Sequence, residues 1–146
     1  MLQKSGKAIR YFWINEVNSV ITSPCPEKPW TDLKAGDLVE VEGIAWSGQG
    51  TIKHVDITLD GGDNWVEAQL KGLVLPKSWT RFSYIMRWDG KPILLSSRAT
   101  DDLNNTQPTI DQETSKQGVE SVYHRNANVT WEVTTKGEVN NVHIRK

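Results

Sequence analysis

The chain is 146 residues long, 37% hydrophobic and 24% charged, with 17 basic and 18 acidic residues for a net charge of −1. That length suits one domain, which at this size buries about 70% of the surface its unfolded form would expose, and the ordinary composition excludes a chain disordered throughout. The balanced charge excludes a basic field for nucleic acid or an anionic membrane, and no apolar run approaches the ~20 residues that span a bilayer.

Taken in order, Met1 to Arg10 is polar and lacks the apolar core of a signal peptide. Val17 to Thr22 is a short strand stopped by Pro24, and Pro26 and Pro29 keep the next stretch extended or turning. Lys34-Ala35-Gly36-Asp37 is a turn into a strand over Leu38 to Trp46, with Val39 and Val41 on one face and Glu40 and Glu42 on the other. Ser47-Gly48-Gln49-Gly50 is a loop. In the strand from Ile52 to Leu59, Val55, Ile57 and Leu59 alternate with His54, Asp56 and Thr58. Asp60-Gly61-Gly62-Asp63 is a hairpin turn, and Trp65 to Leu70 returns as the partner strand.

Further strands are expected over Trp79 to Trp88 and Ile93 to Thr100, separated by an Asp89-Gly90 turn. Asp101 to Gly118 is polar without apolar period and reads as a loop with at most one helical turn. Val129 to Thr134 and Val139 to Ile144 close the chain as a hairpin around Lys136-Gly137. Seven or eight short strands with regular turns and no amphipathic helix predict an all-β fold, an immunoglobulin-like antiparallel β-sandwich, with a barrel as the alternative. The seven tryptophans, spread along the chain, suit an inter-sheet core and an interface.

Chemistry-bearing motifs are sparse. The lone Cys25, in Ser23-Pro24-Cys25-Pro26, has no intrachain disulfide partner and reads as a loop residue rather than a ligand. His54, His124 and His143 have no metal-ligand spacing, and His54 and His143 read as exposed strand residues. No nucleophile elbow, P-loop or dinucleotide fingerprint is present, and the Asp60–Asp63 turn lacks the alternating carboxylates of a calcium loop. No catalytic or metal-binding residue is therefore assigned to the isolated chain. The one constellation of interest is Tyr123-His124-Arg125-Asn126, between the long loop and a strand. Cationic and hydrogen-bonding groups there suit an oxyanion, and equally suit a solvated loop end.

Four ordered blocks carry a resemblance. Gly43-Ile44-Ala45-Trp46-Ser47-Gly48, Val55 through Trp65, Arg98-Ala99-Thr100-Asp101 with Gln107-Pro108, and Asn126 through Trp131 resemble the C-terminal dimerisation domain of the sulfite oxidase family of molybdenum oxidoreductases. Ser19 to Pro24 and Ser121 to His124 look closest to the sulfane dehydrogenase subunit of the sulfur-oxidising (Sox) system. The resemblance runs from about Val17 to the C-terminus.

It implies an early-set immunoglobulin-like sandwich over residues 17–146, with residues 1–16 as the tail of a preceding catalytic domain. It implies no cofactor in this chain, and molybdopterin-bound molybdenum held by a cysteine in that separate domain, a role Cys25 does not inherit. The partners implied are a second copy of the chain, the molybdopterin-binding domain of the same protein, a c-type cytochrome and a sulfur-carrier protein. The location implied is the periplasm. In the family an arginine shortly before the Trp131-like position reaches the oxyanion pocket of the catalytic domain. Here that position is His124, with Arg125 beside it, so the pair becomes a candidate substrate-binding site of the full-length enzyme and the sequence departs from the sulfite oxidase pattern. The competing functions are a stand-alone carbohydrate- or protein-binding module with exposed tryptophans and, last, a small hydrolase.

Overall fold

The computed structural model describes residues 14–117 and 125–144. Among the described residues, nine strands and one helix follow in the order β1 (Asn18–Ser23), β2 (Leu38–Trp46), β3 (Ile52–Thr58), β4 (Val66–Glu67), β5 (Gln69–Lys71), β6 (Thr80–Arg87), β7 (Ile93–Asp101), α1 (Ile110–Gln117), β8 (Thr130–Val133) and β9 (Val139–Val142). All strand pairs are antiparallel, in a four-stranded sheet ordered β1-β2-β6-β5 and a five-stranded sheet ordered β4-β3-β7-β8-β9. The immunoglobulin-like β-sandwich expected from the strand pattern is the fold.

The period-two pattern places the core. Val39, Val41 and Ala45 from β2 meet Val55 and Ile57 from β3, Phe82 from β6 and Leu95 and Ala99 from β7, all buried between the sheets. Trp30 and Trp88 close one end, with ring centroids 5.7 Å apart and planes inclined at 52°. Trp131 spans the layers, its indole N–H donating to the Ile21 carbonyl at 3.0 Å.

Two expectations are corrected. The strand expected over Trp65 to Leu70 divides and serves both sheets. Glu67 and Val66 pair with Asp56 and Ile57, whereas Gln69, Leu70 and Lys71 pair with Ser83, Phe82 and Arg81. Ala68, buried at the crossing, still donates its N–H to the Val55 carbonyl at 2.8 Å. The long polar segment holds an eight-residue helix rather than at most one turn. Thr109 and Gln112 form a reciprocal cap: Gln112 Oε1 accepts from the Thr109 N–H at 3.0 Å, and Thr109 Oγ1 accepts from the Gln112 N–H at 3.3 Å. Asp111 and Glu113 in the first turn and Lys116 in the last suit the helix dipole. Of the tail expected over residues 1–16, residues 1–13 lie outside the described residues.

Candidate functional site

The segment between β7 and β8 is held to the first strand by buried amide chemistry. The Gln107 side chain, 2% exposed, lies between β1 and β7. Its Oε1 accepts from Ser19 Oγ at 2.6 Å and from the Ala99 N–H at 3.3 Å, and its Nε2 donates to Asn18 Oδ1 at 2.8 Å. Ser19 Oγ also meets Ser97 Oγ at 2.9 Å. On the far side of α1, the buried Asn126 donates its N–H to Glu113 Oε1 at 2.7 Å and its Nδ2 to the Val17 carbonyl at 3.2 Å. The Asn128 N–H donates to the Pro108 carbonyl at 3.1 Å. These bonds leave no polar group of the Gln107 amide facing an apolar wall, which is the condition for burying it.

The same anchors shape a cleft. β1 and β9 are edge strands of the two sheets, and the open side between them, capped by α1 and the chain at 125–130, encloses about 620 Å³. Arg125 stands in its wall one residue before the Asn126 anchor, exposed, with its carbonyl accepting from Asn18 Nδ2 at 3.4 Å. Val20 and Trp46 supply apolar wall, Asp111 an opposing carboxylate, and His143 an exposed imidazole from the end of β9. Of the predicted pair, Arg125 is thus placed in the wall of this cleft, and His124 lies outside the described residues. Sequence reading set His143 aside as an exposed strand residue. It is exposed, and it borders the same cleft, which no local motif announces because 18 positions separate it from Arg125.

Elsewhere the polar groups are tied to the scaffold. On the outer face of the five-stranded sheet, Arg98 donates to Asp56 at 3.2 Å and lies 4.1 Å over the Trp65 ring, while His54 sits 3.8 Å from the same carboxylate. Asp60 accepts from Thr58 Oγ1 and from the Asp63 and Asn64 amides, and those bonds, led by the Asn64 N–H, hold its carboxyl far below the usual range. The turn is therefore organised by its own donors, as a hairpin rather than a calcium loop. Cys25 closes a tight turn with Lys28, whose N–H donates to the Cys25 carbonyl at 2.9 Å. Among the described residues no three His, Cys, Asp or Glu side chains converge as a metal site. Among the described residues the one thiol, Cys25, is half-buried in its turn and stands in no such group. No described helix is long and apolar enough to cross a membrane.

Comparison with known proteins bears on the chain as a whole. Residues 10–132 match the family model described as the Mo-co oxidoreductase dimerisation domain. The NADH nitrate reductase of Spinacia oleracea is 35% identical over 111 residues, covering 65% of this chain and 12% of that protein. The mitochondrial sulfite oxidase of Rattus norvegicus is 31% identical over 118 residues, covering 75% of this chain and 21% of that protein. The crystal structure of the sulfane dehydrogenase SoxCD from Paracoccus pantotrophus superposes with a TM-score of 0.91 at 43% identity, covering 99% of this chain and 36% of that chain. The chain thus spans between 12% and 36% of the length of these proteins.

Proposed function

The chain belongs to the Mo-co oxidoreductase dimerisation domain family, and from that premise we propose that it joins two copies of a molybdenum-dependent sulfane dehydrogenase and completes the substrate pocket of that enzyme. The observation that carries the sulfane reading is the likeness to SoxCD over 99% of the chain at 43% identity; the sulfite oxidase and nitrate reductase relatives lie at 31–35%. Molybdopterin belongs, on this reading, to a separate catalytic domain. The protein works in the periplasm, takes sulfur bound to a carrier protein and passes electrons to a c-type cytochrome.

The part assigned to this domain is electrostatic. Arg125, followed by an asparagine whose backbone and side chain are both anchored, presents a guanidinium from a firmly held point in the wall of the cleft. Such a group binds and orients an oxyanion or persulfide terminus without a covalent role. His124, next in the chain, is assigned to the same pocket by its position. In the full-length enzyme Arg125→Ala and His124→Ala should each lower kcat/KM by roughly 10- to 100-fold, the effect of removing one charged hydrogen-bond donor. Melting temperature and dimer content should not change. Unaltered kinetics in both variants would remove the pair from the pocket.

The carbohydrate-binding alternative requires exposed, coplanar rings. Among the described tryptophans, Trp30 and Trp88 are buried, and Trp65 and Trp131 have their indole N–H groups bonded to backbone. Trp46 and Trp79 are inclined at 46°. The platform that reading needs does not form from these six residues.

A further inference from the structure

Part of the outer face of the five-stranded sheet is covered, where β3, β7 and β8 run under the 61–65 turn and the start of α1. Thr58, Ser96 and Thr130 lie there and are only 1%, 3% and 6% exposed. Under the cover is a recess of about 130 Å³, which shares Ile110, Asn128 and Thr130 with the cleft beside Arg125. Its wall holds one charged side chain, Arg98, and no carboxylate. Beyond the wall, Asp56 accepts from Arg98 Nη2, and Asp60 is occupied by Thr58 and by the amides of its own turn. Three polar side chains of this wall have bonding capacity to spare. Arg98 Nε is buried and makes no hydrogen bond. The Asn128 side-chain amide makes none among the described residues, and its Oδ1 is buried. Thr130, in register with Ser96 and so on the same face, has a hydroxyl without a partner among the described residues. Of the four buried side-chain polar atoms left unpartnered among the described residues, two therefore belong to this one recess. Unpaired buried polar groups are costly, so their grouping marks the place of a missing partner.

We propose that this recess binds one small tetrahedral oxyanion, of the sulfate or phosphate kind. The groups on offer are donors. Arg98 supplies the positive charge, and Thr130 and the Asn128 Nδ2 supply neutral N–H and O–H groups. Thr109 Oγ1 accepts from the Gln112 N–H and keeps its own proton to give. Ile110, the first residue of α1, brings the positive end of the helix to the same wall. Size selects among anions. The recess falls well short of the ~300–1,000 Å³ of a site for a drug-sized ligand, which excludes a nucleotide or a peptide. A single ordered water, at ~30 Å³, would fill only about a quarter of it. The inference is independent of how the cleft beside Arg125 is used.

The test is calorimetric titration of the full chain with sodium sulfate and, separately, with sodium phosphate, at a constant ionic strength set by chloride. One ion per chain is expected, and the tighter of the two salts names it. Thr130→Val keeps the shape and removes the hydroxyl, and should weaken binding roughly 10-fold. Asn128→Asp keeps the shape and sets a carboxylate against the anion, and should abolish binding. Thr22→Val, at an exposed threonine of β1 away from the recess, should leave it unchanged. Melting temperatures near that of the wild type establish that the variants fold, and either recess variant keeps the test open if the other does not. In crystals soaked with selenate, the anomalous signal should fall beside Arg98 and Thr130. Absence of binding heat, equal affinity in the wild type and a folded recess variant, or water alone in the recess would overturn the proposal.

Discussion

Gly137 is the position where backbone geometry makes the sharpest demand. It sits at φ +76°, closing the β8–β9 turn with its N–H on the Thr134 carbonyl, and its own carbonyl accepts the Trp30 N–H at 2.8 Å. A Cβ there would lie 2.3 Å from the Trp30 oxygen and 2.8 Å from the Thr31 nitrogen, backbone atoms that cannot swing aside. Gly72 is the matched control: its φ is +73° and a Cβ meets nothing within 4 Å. Gly72→Ala therefore isolates the left-handed backbone cost, about 1–2 kcal/mol, less the ~0.4–1 kcal/mol recovered by restricting the unfolded chain. Gly137→Ala adds separation of the two segments by roughly 1 Å to reach ordinary contact. That separation breaks the Trp30–Gly137 bond, which costs about 1–3 kcal/mol for the stranded donor, and disturbs the Trp30–Trp88 pair, which contributes about 0.5–1.5 kcal/mol. The expected destabilisation is thus ~3–5 kcal/mol at Gly137 against ~1 kcal/mol at Gly72. Urea unfolding followed by tryptophan emission measures both, with a common m-value as the check on two-state behaviour. Equal midpoints for the two variants would refute the claim that the β8–β9 turn is seated on the Trp30 backbone.

Gln107→Met keeps the volume but strips the amide, stranding the Ala99 N–H; a loss of about 2–4 kcal/mol is expected, read as a melting temperature lower by roughly 10 °C. A loss below ~0.5 kcal/mol would show the amide network to be dispensable. Asp101 is fully buried. Desolvation raises its pKa, but bonds from Asn105, Ser47 and the Leu103 N–H outweigh that and leave its carboxyl below the usual value. A group depressed on folding contributes stability that is fully present above its unfolded pKa, near 4, and is lost as pH falls through the lower folded value. Urea midpoints should accordingly fall more steeply with acid below about pH 4 in the wild type than in Asp101→Asn; parallel acid limbs would assign the acid sensitivity elsewhere.

How much was legible follows from where the information lies. β2 was readable to its ends because valines facing Val55 and Ile57 alternate with glutamates facing solvent, so pattern and burial coincide. The split of Trp65–Leu70 between two sheets was not readable, because a strand that changes sheets keeps the same alternation on each side of Ala68. Helix α1 has no apolar stripe, so the periodicity test passed over it, yet the Thr109-Ile110-Asp111-Gln112 cap was in the sequence as a start signal. Arg125 was singled out through its place before a recognisable block, and it lines the cleft. His143 was not, since the cleft joins edge strands brought together only by the sandwich.

That division separates what makes the family recognisable from what makes the site. Gln107 bonds β1 to β7, Asn126 bonds α1 to the chain at Val17, Trp131 ties the two sheets, and Arg98 holds Asp56 and Trp65. These residues lie in the blocks that carry the resemblance, and each is occupied in holding the fold. They are specific because a buried amide or an indole N–H has few satisfactory partners. The cleft is walled partly by this same scaffold, through Asn18, Ser19 and Glu113, and partly by the exposed Asp111, Arg125 and His143. On the proposed reading substrate preference is set by exposed wall residues, so Arg125→Ala should alter kinetics while the sandwich held by Gln107, Asn126 and Trp131 stays the same.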